Sequence, residues 1–515
     1  MKKKVYAAMA ITLALAGCGK DSIETVCQSA VDDVEQVDFS RTVTVSWNSD
    51  GSAAVSGVGD GQTVSGASSG RVTIVNSGSE VVEYRLSGTS SNGCFKVYSA
   101  AAQSVVLEGL DLTNPTGAAI NMQGPADAPA DGETTYIVLI GSNSLSDGTS
   151  YSETPDDEDE KGTLFGEGSL VFSGSGTLTV AATGKSGVVS DDWVKMLGGS
   201  VAVNATSSVR VSGTDTTKVS AVKAKDGFVV SDGALTVVAA GTGCKGISGD
   251  GTAEFAGGTV SVTVSGANYG GSSGGGGMFG GGSSSSNGVK AKGIKFDDAI
   301  VFSGASVSVK CANHEGIESK STITVSGGEV YSYASDDAIN SASTMTIGGG
   351  YLCAHSSGND GIDANGNVYI KGGVVYAIGA SSPEVAVDAN TEESYKLYVQ
   401  GGTLVAIGGL ESGAELSQTC YSSSSWSSGT WYGLTVGSTT YAFKTPSSGG
   451  SGLVVSGSST PSLKSGVSIS GGDSYFSGTF YADCTASGGT TVSLSQYSDG
   501  NGGGNGGGPG GGGRP

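Results

Sequence analysis

The sequence predicts an all-β protein, built as a right-handed parallel β-helix (a single-stranded solenoid) with a β-rich C-terminal cap. Three observations support this prediction. The 515 residues include 90 glycines and many Ser, Thr and Val residues, which favour turns and strands over helices. An apolar marker residue recurs after Gly or Ala at intervals of mostly 22–25 residues. Paired glycines precede alternating apolar runs in step with this marker.

The apolar marker defines the repeat. It is clearest at Ile294, Ile317, Ile339 and Ile362, which are 23, 22 and 23 residues apart, and it continues at Val387. A unit of this length without a helix cannot bury its own apolar face, so neighbouring units must stack. Sandwiches and barrels also use short strands, but in them the same residue types need not recur in register. Earlier markers, at intervals of 47, 25, 34, 24 and 44 residues, are Ile247, Val222, Val188, Leu164 and Ile120.

The paired glycines indicate turns inside each repeat, so each repeat is predicted to hold about two short strands. Right-handed winding follows from the general preference of parallel crossover connections. The pairs are Gly198-Gly199, Gly257-Gly258, Gly327-Gly328, Gly349-Gly350, Gly372-Gly373 and Gly401-Gly402.

The N-terminus is typical of an exported protein. Three lysines precede a short apolar run, and Leu15-Ala16-Gly17-Cys18 resembles a bacterial lipobox. We therefore expect lipidation at Cys18, a membrane anchor and a place at the cell envelope or cell surface; an ordinary cleaved signal peptide is the alternative. The predicted segments are a signal peptide (1–17), a tether (18–40), the solenoid (41–415), a C-terminal β region or cap (416–495) and a Gly-rich tail (496–515).

Charge and cysteine usage restrict the partners and the crosslinks. A net charge of −22 argues against nucleic acid, which binds clustered Lys and Arg. Besides Cys18 there are seven cysteines, an odd number without a CxxC motif. Cys27–Cys94 and Cys420–Cys484 are candidate disulfides, and isolated buried thiols are the alternative.

Stacking predicts columns of acidic side chains. Equivalent residues of neighbouring repeats lie about 4.8 Å apart, where like charges repel by roughly 1 kcal/mol in water and more in the protein. Lys292 can neutralise Glu315, and calcium, which prefers carboxylate and amide oxygens, can neutralise the rest. Solvated turn residues are the alternative. The predicted calcium ligands are Glu315, Glu318, Asp336, Asp337, Asn340, Asn359, Asp360 and Asp363. A separate acidic run, Asp156–Glu160, is predicted to be a solvated loop, and a second calcium site is the alternative.

Catalytic signals are few. The two histidines fall at different positions of the repeat, which argues against a triad or a zinc site. A β-elimination lyase acting on uronates needs a cation and a base, and Lys290, Lys292 and Lys295 are the candidate bases, with ladder salt bridges as their alternative role. The indole rings of Trp426 and Trp431 can stack on sugars or pack in the C-terminal cap. Lys290, Lys292, Trp426 and Trp431 are the predicted glycan contacts.

Several segments resemble one known family. They are VVEYRLSGTSSNG, SVVLEGLDLTNPTGAAINM, YSETPDDEDEKGTLFGEGSLVFSGSGTLTV, the insertion that runs into GVKAKGIKF, and the glycine tail. In this order they are similar to the bacterial carbohydrate-binding β-helix family first described in a cellulolytic Clostridium. The resemblance implies a right-handed parallel β-helix similar to pectate lyases, bound calcium and affinity for cellulose-like and acidic polysaccharides. It implies little or no catalysis.

Three hypotheses follow. The leading one is a surface lipoprotein that binds polysaccharide through calcium held on one face. The second is a calcium-dependent polyuronate lyase. The third is a structural adhesin whose acid columns only stabilise the repeats.

Overall fold

The computed structural model describes residues 37–152, 158–212, 215–270 and 288–498. The predicted signal peptide with Cys18, most of the Gly-Met-Phe insertion, Asp156 and the glycine tail from residue 499 lie outside these residues. Within them the chain forms β-strands and three short 3-10 turns, at Ala67–Ser69, Thr391–Glu393 and Phe476–Gly478. None of the helical segments in these ranges is long and apolar enough to cross a membrane.

The strands follow one another along the chain in three groups. The first group is β1 (Arg41–Trp47), β2 (Ala53–Ser56), β3 (Gln62–Ser65), β4 (Arg71–Asn76), β5 (Val82–Ser90), β6 (Cys94–Ser99), β7 (Gln103–Asn114), β8 (Ile120–Gln123), β9 (Thr135–Ile140), β10 (Ser142–Asp147), β11 (Gly162–Gly166), β12 (Leu170–Gly174), β13 (Thr177–Ala182), β14 (Ser186–Ser190), β15 (Trp193–Ala205), β16 (Arg210–Ser212), β17 (Asp215–Thr217), β18 (Ser220–Ala224) and β19 (Gly227–Ala239). The second group is β20 (Lys245–Gly249), β21 (Thr252–Phe255), β22 (Thr259–Val264), β23 (Ile294–Phe296), β24 (Ile300–Phe302), β25 (Ser306–Cys311), β26 (Ile317–Ser319), β27 (Ile323–Val325), β28 (Glu329–Ala334), β29 (Ile339–Ser341), β30 (Met345–Ile347), β31 (Tyr351–Ser356), β32 (Ile362–Ala364), β33 (Val368–Ile370), β34 (Val374–Ile378), β35 (Leu397–Val399) and β36 (Thr403–Ile407). The third group is β37 (Glu415–Leu416), β38 (Cys420–Ser423), β39 (Trp431–Val436), β40 (Thr439–Lys444), β41 (Leu453–Ser456), β42 (Ser462–Ser470), β43 (Asp473–Tyr475), β44 (Phe480–Ala482), β45 (Thr485–Thr491) and β46 (Ser495–Gln496).

Each regular repeat contributes three strands to three parallel ladders. In the repeat that begins at Ile294, β23, β24 and β25 pair in parallel with β26, β27 and β28 of the next repeat. The same pattern continues through β29, β30 and β31. The all-β class and the parallel repeats are therefore confirmed. The sequence predicted about two strands per repeat, because a three-residue strand such as β24 is too short to show alternation.

The marker residues pair with one another across the ladder. Ile247 pairs with Ile294, Ile294 with Ile317, and Ile317 with Ile339. Ile339 pairs with Ile362, and the series extends to Val387 and Leu410. The 47-residue interval before Ile294 is thus a single step that carries an insertion, and the interval from Ile120 to Leu164 is also a single step. The five isoleucines are fully buried and supply the core between the ladders.

Antiparallel strands occupy both ends of the stack. At the start, β1 pairs with β2 and β3 with β4. At the end, β41 turns back and pairs antiparallel with β36. A six-stranded sheet in the order β43-β44-β40-β39-β42-β45 follows, and its core contains Tyr432, Phe443 and Phe480. Of these strands, β2, β3 and β41 cover sheet edges that would otherwise expose unpaired backbone groups.

The described cysteines form no disulfide, so the predicted Cys420–Cys484 bond is wrong. The Cys420 thiol donates to the carbonyl oxygen of Gln418, and the Cys484 thiol donates to the carbonyl oxygen of Thr440. Burial raises the pKa of both thiols. The other candidate partner, Cys27, lies outside the described residues.

The second glycine of each pair has a backbone conformation that other residues avoid. Gly350 has a φ of 71°, and a Cβ atom there would lie 2.7 Å from the backbone carbon of Gly327 in the preceding repeat. Only glycine combines this turn with such close stacking. The nearby Gly348 differs, because its φ is not positive and a Cβ atom would meet nothing closer than 3.9 Å.

We expect Gly350→Ala to destabilise the protein by about 1–3 kcal/mol, the usual cost of a strained backbone conformation, with the steric clash adding to it. Urea unfolding followed by circular dichroism measures the effect. Gly348→Ala is the matched control and should leave the midpoint nearly unchanged. Equal midpoints for the two variants would contradict the role of the turn.

Candidate functional site

The central ladder aligns the residues that follow the marker. Its three-residue strands bury the first and third side chains, and the middle residue is half-buried in three of the four strands. In β26 the middle residue, Glu318, is also buried. The middle residues pair in series: Lys295 with Glu318, Glu318 with Asn340, and Asn340 with Asp363. The column predicted one residue after the marker is therefore formed.

The turn before each marker strand places the other acidic residues. The Gly316 N–H donates to the Asp337 carbonyl oxygen at 3.1 Å, and the Ala338 N–H donates to that of Asp360 at 3.2 Å. A Cβ atom on Gly316 would lie 2.1 Å from the Ser332 hydroxyl oxygen, which explains the small residue before each marker. Because these carbonyls accept ladder bonds, the side-chain oxygens are the more available metal ligands.

We call the eight predicted ligands the acidic ladder; the structure brings them together over three successive repeats. Its N-terminal end is neutralised by lysine. The Lys292 ammonium lies 3.2 Å from Glu315 Oε2 and also contacts Glu318, which pairs in turn with Lys320. Burial opposes the ionisation of Glu318, but Lys292 and Lys320 outweigh it and lower its pKa. This end matches the predicted lysine pairing. Because its carboxylates already have lysine partners, an additional cation would gain little by binding there.

His314 joins this end of the acidic ladder. Its Nδ1 contacts Glu315 and lies 3.3 Å from Asp336 Oδ2, so one atom from each of the three side chains lies within 4.8 Å of the others. Burial lowers the pKa of His314 to about 4, and Lys292 acts in the same direction. The other histidine, His355, packs edge-on against Tyr333.

The C-terminal end of the acidic ladder has no such cation. Among the described residues, no ion pair reaches Asp337, Asp360 or Asp363. Asp337 and Asp360 are only 5% and 7% exposed. Burial, with the neighbouring carboxylates, raises the pKa of each to about 7 and that of Asp363 to about 6. This end therefore holds carboxylates that resist ionisation unless a positive charge joins them.

Amide side chains link these carboxylates. Asn340 Nδ2 lies 3.0 Å from Asp337 Oδ2 and 2.8 Å from Asp363 Oδ2. Asn359 Nδ2 lies 2.9 Å from Asp336 Oδ1. The backbone supplies further donors, because the Asp360 N–H donates to Asp337 Oδ1 and the Val385 N–H donates to Asp360 Oδ1. Asp337, Asn340 and Asp363 thus converge on one point.

The three predicted lysines have different surroundings. Lys292 is held between two carboxylates, and Lys295 contacts Asp297. Lys290 is half-buried. A fourth lysine, Lys245, lies two residues before the marker Ile247, as Lys292 lies two residues before Ile294. Burial lowers the pKa of Lys245 to about 8, and Lys218, Lys295 and Lys292 add to the effect.

The predicted tryptophans belong to the C-terminal region. Trp426 Nε1 donates to the Gly450 carbonyl oxygen at 3.0 Å, and the Trp431 ring centroid lies 5.7 Å from that of Tyr481. Both are half-buried, which fits packing in the cap, and glycan stacking stays a prediction. The sequence analysis missed a stacked pair on a parallel ladder, Tyr369 and Tyr398, whose centroids are 4.8 Å apart. The outward middle position of their three-residue strands was the available signal.

The described part of the Asp156–Glu160 run, residues 158–160, is not simply a solvated loop. Glu158 pairs with Lys96 at 2.5 Å with its side chain only 5% exposed, and Glu160 accepts a hydrogen bond from the Ala118 N–H. Asp159 lies near Glu167 and Asp191, with one oxygen of each within 4.8 Å of the others. Lys161 pairs with both Asp159 and Asp191, so a lysine already serves that cluster.

An all-β repeat protein with a column of carboxylate and amide side chains beside its central ladder is the class that fold and site define. A model of the carbohydrate-binding domain-containing protein family matches residues 68–361 and 276–430, so the chain belongs to this family. Among solved structures, it is similar to the polysaccharide lyase-like protein from C. thermocellum, solved as a gadolinium derivative. That match has 16% identity, covers 64% of this chain and 95% of the other, and has a TM-score of 0.35. No curated protein matches the chain.

The raised pKa values predict a pH-dependent stability without metal. An aspartate whose folded pKa is about 7, against 3.8 normally, binds more protons when folded, so its penalty is absent below pH 4 and complete above pH 7. Each pH unit between the two values is worth about 1.4 kcal/mol, so Asp360 destabilises the metal-free protein by up to about 4 kcal/mol at pH 8.

Asp360→Asn removes this charge and can keep the oxygen that accepts from the Val385 N–H. With chelator present, the variant should melt above the parent protein at pH 8 and with it at pH 4. A scanning calorimeter measures both, and Asp298→Asn, at an exposed turn, serves as the control. The prediction would be contradicted if Asp360→Asn melted above the parent protein at pH 4 but not at pH 8.

Proposed function

We propose that the protein binds polysaccharide and that calcium held by the C-terminal end of the acidic ladder takes part. Membership of the carbohydrate-binding domain-containing family supports the glycan, and the convergence of Asp337, Asn340 and Asp363 supports the cation. The expected glycans are cellulose-like polymers, acidic uronate polymers or both.

The residues at this point fit calcium. The nitrogen and oxygen of an asparagine amide exchange places on a half-turn of the amide, so Asn340 can aim an oxygen where its nitrogen now meets two carboxylates. Asp337, Asn340 and Asp363 then supply oxygen ligands, with Asp360 beside them. Calcium accepts six to eight oxygens, and a bound ion would attract the carboxylates or hydroxyls of a saccharide.

The fold that we propose for polysaccharide binding is a right-handed parallel β-helix. Its support is the pairing of every regular strand with its counterpart one repeat later, in three ladders. Such a stack presents a long face that suits an extended polymer.

The proposed location is the cell envelope or cell surface, with lipid attached at Cys18. The support is the lysine-led apolar segment and the Leu15–Cys18 lipobox. A Cys18→Ser variant that still fractionates with the membrane would count against this anchor.

We expect Asp337→Asn/Asp363→Asn to lose at least tenfold in calcium affinity, because two of the three converging carboxylate and amide groups lose their charge. Isothermal titration calorimetry measures the change. Asp297→Asn/Asp298→Asn removes the same charge from an exposed turn and should bind as the parent does. Unchanged calcium affinity in Asp337→Asn/Asp363→Asn would favour the alternative in which lysine salt bridges, and not calcium, neutralise the acidic columns.

Pull-down on insoluble cellulose and on immobilised polygalacturonate, with calcium or with chelator, extends this test. Retention that depends on calcium and falls in Asp337→Asn/Asp363→Asn is the expected result. Absence of retention under every condition would favour the structural adhesin.

The second candidate is a calcium-dependent polyuronate lyase, favoured by one observation. A general base must lose its proton near neutral pH, and burial brings the pKa of Lys245 to about 8. Lys245 is a better candidate than Lys292, which two carboxylates hold. An ultraviolet absorbance that rises steadily as unsaturated products form from polygalacturonate, and that no longer rises in Lys245→Met, would refute the binding-only proposal in favour of the lyase.

A further inference from the structure

A cleft lies among residues that are far in sequence from the acidic ladder. Its volume is about 260 Å³, and it opens on the outer side of β4, β6 and β8. Thr73 pairs with Lys96 and Lys96 with Asn121, so these residues share the ladder that carries Glu318 and Asp363. The polar and charged lining includes Arg71, Lys96, Tyr98, Asn114, Asn121 and Glu160.

Hydrogen-bond donors dominate one wall of this cleft. Lys96 and Tyr98 stand on the outward face of β6, and the ammonium lies 5.6 Å from the centre of the phenol ring. Arg71 reaches Asn114 Oδ1 at 3.0 Å. In a chain of net charge −22, two basic side chains and a phenol line this cleft together with the Glu160 carboxylate. Clustered cationic donors of this kind attract anions.

An unsatisfied buried donor also lines the cleft. Asn121 is 1% exposed, its Oδ1 accepts from Gln123 Nε2 at 2.6 Å, and its Nδ2 makes no hydrogen bond to the described residues. A buried amide without a partner costs about 1–3 kcal/mol, so such a group is explained by a ligand or by water.

A carboxylate of the chain itself contacts two of these donors. Glu158 lies 2.5 Å from the Lys96 ammonium and accepts a hydrogen bond from the Tyr98 hydroxyl. The following residues keep it there, because the Asp159 carbonyl accepts from Gln123 and the Glu160 carboxylate accepts from the Ala118 N–H. Lys96 and Tyr98 therefore already hold one carboxylate in the geometry that a ligand carboxylate needs.

We propose that this cleft is a calcium-independent subsite for the carboxylate of a uronic acid residue, in which Lys96, Tyr98 and Asn121 bind the ligand and Glu158 competes with it. The inference rests on the proposed function in one respect, the saccharide nature of the ligand. The direct cationic contact distinguishes this subsite from the acidic ladder, which would hold the same polymer through a metal ion.

The test is isothermal titration calorimetry of the purified protein with a trigalacturonate oligosaccharide in the presence of chelator. Lys96→Met should lose at least tenfold in affinity, the loss of roughly one charge-assisted hydrogen bond. Tyr98→Phe removes only the hydroxyl and should lose severalfold. Glu158→Gln should bind severalfold more tightly, because the competing carboxylate is gone.

Asp127→Asn is the matched control, since it removes one negative charge from an exposed loop residue and should bind as the parent does. Equal affinity of the parent for a neutral cello-oligosaccharide of the same length would overturn the carboxylate assignment. Unchanged affinity in both Lys96→Met and Tyr98→Phe, or weaker binding by a folded Glu158→Gln, would overturn the subsite.

The same titration keeps this inference apart from the calcium proposal. If only the cleft binds, Asp337→Asn/Asp363→Asn keeps the full affinity and calcium adds nothing. If only the acidic ladder binds, chelator abolishes binding and Lys96→Met behaves as the parent does, which refutes the subsite alone.

Discussion

The in-register parallel stacking of repeats is the constraint on which the rest of this structure depends. It fixes the spacing of equivalent side chains at about 4.8 Å, whatever their charge. It also restricts the turns, because a Cβ atom at Gly350 or Gly316 would strike the neighbouring repeat. The acidic residues are therefore located by the backbone, and their mutual repulsion has to be relieved by whatever lies beside them.

One ladder shows two solutions to this repulsion. At Glu315 and Glu318, lysines in the neighbouring positions complete the charge balance inside the chain. One and two repeats later, at Asp337, Asp360 and Asp363, lysine is replaced by Asn340 and by backbone N–H groups, which donate hydrogen bonds but carry no charge. The pKa values of these carboxyl groups are raised, whereas the neighbouring lysines lower that of Glu318.

The marker residues could be predicted from the sequence because a buried isoleucine must recur wherever the stack needs one. The column one residue after it followed by counting from Ile339 and Ile362, and the pairing of Asn340 with Asp363 is confirmed. The third strand of each repeat could not be found, because three residues such as those of β24 carry no periodicity. Burial of Glu158 was missed because an acidic run looks the same in solvent and against Lys96, and only the fold brings those residues together across 62 positions.

The return of β41 along β36 has a consequence for size. A stack of identical repeats has no intrinsic end, and a further repeat, or a second copy of the chain, can in principle add to its last edge. By pairing Leu453–Ser456 antiparallel with the final regular strand, the chain closes that edge with its own backbone. The number of stacked repeats, and with it the length of the outer face, is thereby set by the chain itself. The stack cannot grow into a filament by adding a strand at β36.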